Sequence, residues 1–78
     1  MMLDKIREII TRYADVSPED IKEDSRLAED LGLTSFAVMS MMGDFEEEFD
    51  ITVDESKLTG IYTVGDIMRC LEAMKEEQ

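Results

Sequence analysis

Three stretches of this sequence repeat apolar residues every three or four positions, the spacing of helices with one buried side. They cover residues 2–14, 35–49 and 63–75. The sequence between them is polar and carries turn signals. We therefore predict an all-α fold, a small antiparallel bundle of three main helices plus one short helix, with a long loop between helices one and two. The 78 residues should form a single domain spanning 1–78.

Each predicted helix has an apolar face that should turn toward the core. On the first helix this face consists of Leu3, Ile6, Ile9, Ile10 and Tyr13. On the second helix it consists of Val38, Met39, Met42, Phe45 and Phe49. On the third helix it consists of Val64, Ile67, Met68, Leu71 and Met74. Cys70 falls at the edge of the third face, which predicts a small buried hydrophobic side chain.

The connections also carry local signals. Residues 17–20 read S-P-E-D, a helix-start pattern that predicts a short helical turn. Three apolar residues of the long loop should pin it onto the core, namely Ile21, Leu27 and Leu31. Asp54 can cap a short helix that runs through Leu58 and ends at Gly60, with a strand over residues 51–53 as the alternative. Thr63 and Asp66 resemble a capping box, and residues 76–78 should fray.

The charge of the chain limits the classes of partner. There are 20 acidic and 8 basic residues, for a formal net charge of -12. Nucleic acids and anionic membranes would repel such a chain, whereas basic patches on other proteins would attract it. No apolar run reaches the length of a membrane span, no signal peptide is apparent, and the lone cysteine cannot form an internal disulfide. We therefore expect a cytoplasmic monomer that binds proteins.

The chain contains no histidine, which excludes Ser-His-Asp and Cys-His catalytic sites and a zinc site built from cysteine and histidine. We predict that the chain is not an enzyme and has no dedicated metal site. A calcium-binding helix–loop–helix fails because the loop pattern needs glycine at its sixth position and glutamate at its twelfth. Counted from Asp50, those positions hold Glu55 and Ile61. Loose divalent binding remains expected from the high negative charge.

The most informative segment is D-L-G-L-T-S-F, residues 30–36, which joins the long loop to the second helix. Ser35 lies where that helix should begin, with Gly32 loosening the backbone just upstream. A serine there can cap the helix with its side-chain oxygen. It can also carry a phosphate ester, because the free N–H groups and the positive end of a helix stabilise an anion.

The order of these parts resembles the acyl carrier protein family over the whole chain. The resemblance rests first on the long loop, which ends in D-L-G-L-T-S-F. It rests also on E-E-E-F-D at residues 46–50, on I-T-V-D at residues 51–54, and on Y-T-V-G-D-I at residues 62–67, where the last helix opens. The family's attachment motif is D-L-G-x-D-S-L, which this chain matches at Asp30, Leu31, Gly32 and Ser35. Thr34 replaces the usual aspartate, and Phe36 replaces the usual leucine.

The resemblance implies a function. A phosphopantetheinyl transferase would move 4'-phosphopantetheine from coenzyme A onto the Ser35 hydroxyl, with magnesium at the transferase site. The arm would hold acyl groups as thioesters and carry them between enzymes of fatty acid or related biosynthesis. The short chain suggests a stand-alone carrier. Because of the departures at Thr34 and Phe36, one alternative is a carrier for a dedicated polyketide, peptidyl or D-alanyl pathway. Another alternative is an acidic adaptor domain without a cofactor.

The same resemblance implies that the second helix binds basic patches on synthase enzymes. Its exposed face should carry Ala37, Ser40, Asp44, Glu47 and Glu48. Of these, the acids Asp44, Glu47 and Glu48 are the expected partner-binding residues, together with Phe36 beside the attachment point. The alternative is an ordinary solvated acidic face. Met39, Met41 and Met42 could help the bundle accept an acyl chain, or could simply fill the core.

Overall fold

The computed structural model describes residues 1–76 and contains three α-helices, which confirms the all-α prediction. They are α1 at Met2–Ile10, α2 at Ser35–Phe49 and α3 at Val64–Glu76. Short 3-10 turns lie at Pro18–Asp20 and Glu55–Lys57, where the sequence signals predicted them. Across residues 1–76 the structure contains no strand, so the strand alternative for residues 51–53 is wrong. The expected fraying of Glu77 and Gln78 concerns residues outside the described range.

All three helices and the long loop share one hydrophobic core. The side chains that are completely shielded from solvent include Ile6 and Ile9 from α1, Phe45 from α2, and Ile67 and Leu71 from α3. The loop anchors predicted from the sequence are also buried, with exposed fractions of 0–7%; they are Ile21, Leu27 and Leu31. Within residues 1–76, no helix is both long and apolar enough to span a membrane.

The first helix is shorter than predicted. It ends at Ile10 rather than at Ala14, and the chain then tightens into turns in which the N–H groups of Arg12 and Tyr13 bond carbonyls only three residues back. Tyr13 therefore leaves the inner face and is 37% exposed. Its hydroxyl donates to Asp44 Oδ2 of α2 at 2.5 Å, and that carboxylate raises the pKa of Tyr13.

The predicted inner face of α2 is rotated relative to the observed one. Met41 is fully buried and Met39 is 46% exposed, whereas the sequence pattern assigned Met39 to the core. Apolar residues occupy both flanks of this helix, so their spacing defines the buried side poorly. Packing in the shared core selects the line through Met41 and Phe45, which lie four residues apart on one side of the helix.

The long loop is fastened to the start of α3 by backbone hydrogen bonds. Leu27 N–H donates to the Tyr62 carbonyl at 2.8 Å, and Val64 N–H donates to the Ser25 carbonyl at 3.0 Å. Gly65 N–H donates to the Glu23 carbonyl at 2.8 Å. An ideal Cβ added at Gly65 would lie 3.2 Å from that same carbonyl oxygen. The absence of a side chain at position 65 thus permits the close approach of the loop.

The predicted capping box at α3 is confirmed. Thr63 Oγ1 accepts from Asp66 N–H at 3.1 Å, and Asp66 Oδ2 accepts from the N–H groups of Thr63 and Tyr62 at 2.9 and 2.8 Å. These backbone donors and the Arg69 guanidinium, 2.8 Å from Asp66 Oδ1, lower the pKa of Asp66 from 3.8 to about 2. Cys70 is half-buried, less than the buried side chain that the sequence predicted, and burial raises the pKa of its thiol.

We predict a pH-dependent contribution from Asp66. Because folding lowers its pKa, its stabilisation is present in full above pH 3.8 and is lost as the pH falls through about 2. Asp66→Asn should lower the free energy of unfolding by about 1 kcal/mol at pH 7, the usual value of such a cap. Urea unfolding of both proteins should show this gap closing between pH 4 and 2. A gap that stays constant with pH would contradict the assignment.

Two glycines provide a matched test of the loop attachment. Gly43 lies inside α2 with open space around its Cα, whereas Gly65 faces the Glu23 carbonyl. Gly43→Ala should raise the free energy of unfolding by about 0.5–1 kcal/mol through helix propensity. Gly65→Ala should lower it by about 1 kcal/mol, because the hydrogen-bonded carbonyl cannot retreat without loss. Equal stabilisation by both substitutions, measured in urea, would show that the loop yields freely.

Candidate functional site

The turn before α2 is held by its own backbone. The N–H groups of Asp30 and Leu31 both donate to the Arg26 carbonyl, and Gly32 has φ of +68°, a conformation that favours glycine. The carboxylate of Asp30 accepts from Arg26 N–H at 2.8 Å and from its guanidinium at 3.1 Å. These bonds lower the pKa of Asp30. Its carboxylate is therefore a poor proton acceptor and serves to shape the turn.

Thr34, not Ser35, caps α2. Thr34 has an extended backbone with ψ of 166°, and its Oγ1 accepts from Ala37 N–H at 3.1 Å. Ser35 is already the first helical residue, so its side chain has the wrong position for the cap. The expectation that Ser35 could act as a plain cap is therefore wrong. Among the described residues, none forms a hydrogen bond with its hydroxyl, and Ser35 is exposed.

The backbone around Ser35 provides an anion-binding environment. Within the described part of the chain, the N–H groups of Ser35 and Phe36 have no hydrogen-bond acceptor, as expected for the first turn of a helix. The 15-residue helix adds a positive partial charge at this end. No acidic residue occurs in its first turn. A phosphodiester on the Ser35 hydroxyl would thus meet free donors and a favourable dipole.

A cleft of about 350 Å³ opens beside Ser35, near the lower end of the range of small-molecule sites. Its wall is mainly apolar and comes from the long loop, from α2 and from the segment before α3. The lining residues are Leu27, Ala28, Glu29, Leu33, Thr34, Ser35, Val38, Met39, Met42, Leu58, Ile61 and Tyr62. Met41 does not line the cleft and belongs to the core.

The acids of α2 are placed differently from the expectation of a free outer face. Asp44 is only partly exposed; it accepts from Tyr13 and lies 3.6 Å from the Arg12 guanidinium. Glu48 lies 3.9 Å from Lys5. Glu48 therefore faces α1, and Asp44 faces the turn that follows α1. Glu47 is exposed, as predicted, whereas Ala37 packs partly against the core.

Phe36 is far more exposed than its place at the margin of the helix suggested. Its side chain is 82% exposed, directly beside Ser35. Tyr62, which the sequence analysis did not single out, is 72% exposed and lines the same cleft as Ser35. No local signal marks Tyr62, because a loop 27 positions later in the sequence reaches the site only through the tertiary fold.

The described residues of the site include carboxylates but no metal centre, and one of these carboxylates, Glu29, lines the cleft with Ser35. Across residues 1–76, the structure brings together no three Cys, Asp or Glu side chains in a group that could hold a metal ion. The loop carboxylate of Asp30 is engaged with Arg26. What the site presents is an accessible hydroxyl, two free backbone donors and an apolar cleft. Such a surface suits modification by another protein.

Comparison with known proteins agrees with this geometry. The profile of the family described as "Phosphopantetheine attachment site" matches residues 4–71. A protein named "Acyl carrier protein" from Sulfurovum sp. (strain NBC37-1) is 37% identical over 71 residues, which cover 91% of this chain and 95% of the relative. A protein of the same name from Wolinella succinogenes is 36% identical, over 95% of this chain and 97% of the relative. Another from Thermotoga maritima is 37% identical, over 87% of this chain and 84% of the relative.

These matches span most of the chain and include the loop, the cleft and the helix start described above. They confirm the resemblance found in the sequence and the phosphopantetheine cofactor expected from it. This chain belongs to the acyl carrier protein family, and its residues 4–71 match the family of phosphopantetheine attachment sites.

Proposed function

We propose that Ser35 is the attachment residue and that the protein carries acyl groups between enzymes of fatty acid or related biosynthesis. The observation that carries the proposal is the exposed hydroxyl of Ser35, which Thr34 leaves free by capping α2 in its place. When attached, the phosphopantetheine arm supplies a terminal thiol that holds acyl groups as thioesters.

The residues present fit this group. The Ser35 hydroxyl provides the oxygen for the phosphodiester, and the N–H groups of Ser35 and Phe36 provide donors for its charged oxygens. Asp30 is the one acid of the motif, and its charge is compensated by Arg26. Where the family usually has an aspartate, Thr34 adds no negative charge next to the phosphate. The chain has no histidine to act as a base, so we expect the transferase to remove the proton of Ser35.

The cleft beside Ser35 supports the proposed acyl cargo. Met39 and Met42 contribute flexible side chains to its wall, so the sequence hypothesis on methionines is retained for these two and not for Met41. Methionine adapts to irregular apolar shapes, which suits a wall that must fit chains of different length. Burial of an acyl chain here would remove apolar surface from water and stabilise the fold.

Several finer assignments stay proposals. A phosphopantetheinyl transferase and acyl-transferring synthase enzymes are the proposed partners, with Phe36, Asp44, Glu47 and Glu48 as contact residues. Glu47 is the most available acid, since Glu48 pairs with Lys5 of α1 and Asp44 contacts Arg12 in the turn after α1. A carrier for a dedicated polyketide, peptidyl or D-alanyl pathway is the alternative, favoured by Thr34 and the exposed Phe36. The masses of thioesters on protein from its native host would separate the pathways.

The cytoplasmic location and monomeric state remain predictions.

The attachment residue can be tested with a matched pair of serines in one helix. After incubation with coenzyme A, magnesium and a transferase, intact-mass spectrometry should show one phosphopantetheine added to the natural protein and to Ser40→Ala. Ser35→Ala should gain none, and its free energy of unfolding should change by no more than about 0.5 kcal/mol, because the side chain is exposed. Addition to Ser35→Ala would disprove the assignment. No addition to the natural protein would favour the cofactor-free adaptor.

The acyl cleft can be tested through stability. An octanoyl load should raise Tm by about 4 °C or more relative to an acetyl load, the shift that about 1 kcal/mol produces in a domain of this size. Val38→Phe should abolish the difference by filling the cleft wall, whereas Val53→Phe, outside the cleft, should retain it. Calorimetry of the three proteins, each with either load, measures the effect. Equal Tm values for both loads on the natural protein would mean that the chain stays in solvent.

A further inference from the structure

One methionine of the cleft wall is open to solvent. Met39 is 46% exposed, whereas three other methionines, Met41, Met42 and Met74, are only 0–4% exposed. Across residues 1–76, the other methionine with an exposed side chain is Met1, which does not line the cleft. Met39 therefore combines access from solvent with a place beside the proposed attachment residue.

The position of Met39 on α2 puts it in the way of a bound chain. Ser35, Met39 and Met42 follow one another at spacings of four and three residues, so they form one row along the helix. All three line the cleft. An acyl chain that lies along this row, from Ser35 toward the buried Met42, covers the exposed part of Met39.

The thioether of Met39 can accept one oxygen atom from a peroxide. A lone pair of the sulfur forms the S–O bond, the O–O bond of the peroxide breaks, and its second oxygen leaves as water or an alcohol. The sulfur loses two electrons and the peroxide gains them. The product is methionine sulfoxide, a polar side chain that sulfoxide reductases return to methionine.

A sulfoxide at position 39 would alter the cleft wall. The neighbouring wall residues on α2, Val38 and Met42, have no N–H or O–H in their side chains, so the new oxygen keeps its hydrogen bonds toward solvent. An acyl chain laid over it would remove that solvent, and a polar group buried without a partner is costly. The oxidised side chain and the acyl chain therefore exclude each other.

We propose that Met39 is a reversible oxidation site, at which a peroxide converts the thioether to the sulfoxide and so closes the cleft to acyl cargo. The converse also follows, because cargo in the cleft shields Met39 from the peroxide. The inference rests on the proposed function, since it requires the arm at Ser35 and an acyl chain in the cleft.

The test uses the full chain, loaded at Ser35 with a phosphopantetheine arm that carries octanoyl or acetyl through an amide, because peroxide also attacks thioesters. All proteins carry Cys70→Ala, which removes a competing thiol outside the cleft. Before treatment with hydrogen peroxide, the octanoyl load should raise Tm by about 4 °C relative to acetyl, and after oxidation of Met39 by less than about 2 °C. Peptide mass spectrometry locates the added oxygen, and calorimetry measures Tm.

Matched variants separate Met39 from the other methionines. Met39→Leu keeps an apolar side chain of similar volume without an oxidisable sulfur, so it should retain the Tm difference after peroxide. Met68→Leu removes a half-buried methionine of α3 outside the cleft and should lose the difference as the natural protein does. Met39→Gln should lack most of the difference without any peroxide. Loss of the difference in oxidised Met39→Leu would assign the effect to another residue and overturn the inference.

Protection by cargo is measured from the oxidation rates of two methionines in one chain. The octanoyl load should slow the oxidation of Met39 by about threefold or more relative to the acetyl load, because it covers the side chain. The rate at Met1, far more exposed and outside the cleft, should be the same with both loads. Equal rates at Met39 with the two loads would overturn the inference.

The remaining outcomes distinguish this inference from the proposed function. If the untreated protein has the same Tm with both loads, the proposed acyl cleft fails, and the inference fails with it. If the untreated protein shows the difference and complete oxidation of Met39 leaves it unchanged, only the oxidation site fails. Treatment with methionine sulfoxide reductase should restore the difference. A loss that persists after the thioether of Met39 is restored would trace the effect to other damage and overturn the inference.

Discussion

The backbone connection between the long loop and the start of α3 is the constraint on which the functional site depends. Three hydrogen bonds, from Leu27, Val64 and Gly65, join two segments that are far apart in sequence. They hold the loop in place, so that its apolar anchors reach the core and its end leads directly into α2. The cleft exists because the segment carrying Tyr62 is fastened there. The loop thus behaves as part of the bundle, although it contains little regular secondary structure.

The helix start shows how two adjacent hydroxyl residues acquire different roles. Gly32 adopts a positive φ and turns the chain, after which Thr34 is extended and Ser35 is helical. An extended residue can direct its oxygen at the N–H three positions later, and a helical one cannot. Thr34 therefore satisfies Ala37, and the hydroxyl of Ser35 remains exposed. In the proposed function, this division of labour makes Ser35 available to an enzyme without opening the fold.

Charge and apolar surface are separated along α2. Its acids lie in the second half. There Asp44 contacts Arg12 and Tyr13 in the turn after α1, and Glu48 pairs with Lys5 of α1. The first half, next to Ser35, presents Phe36 and Met39 instead. The net charge of -12 thus describes the whole surface and not the surface next to the site. Long-range attraction to basic partners and short-range apolar contact can therefore reside on different parts of one helix.

The sequence by itself determined the three helices, the buried loop anchors, the capping box and the position of Ser35 at the junction of loop and helix. Each of these depends on local spacing or on the chemistry of neighbouring residues. Only the tertiary structure decided which side of α2 is buried, that Met41 rather than Met39 enters the core, that Asp44 binds Tyr13, and that Tyr62 lines the cleft. Apolar residues surround much of α2, so periodicity leaves its rotation open. That rotation is selected when α1, α3 and the loop pack against it together, through contacts that no single segment contains.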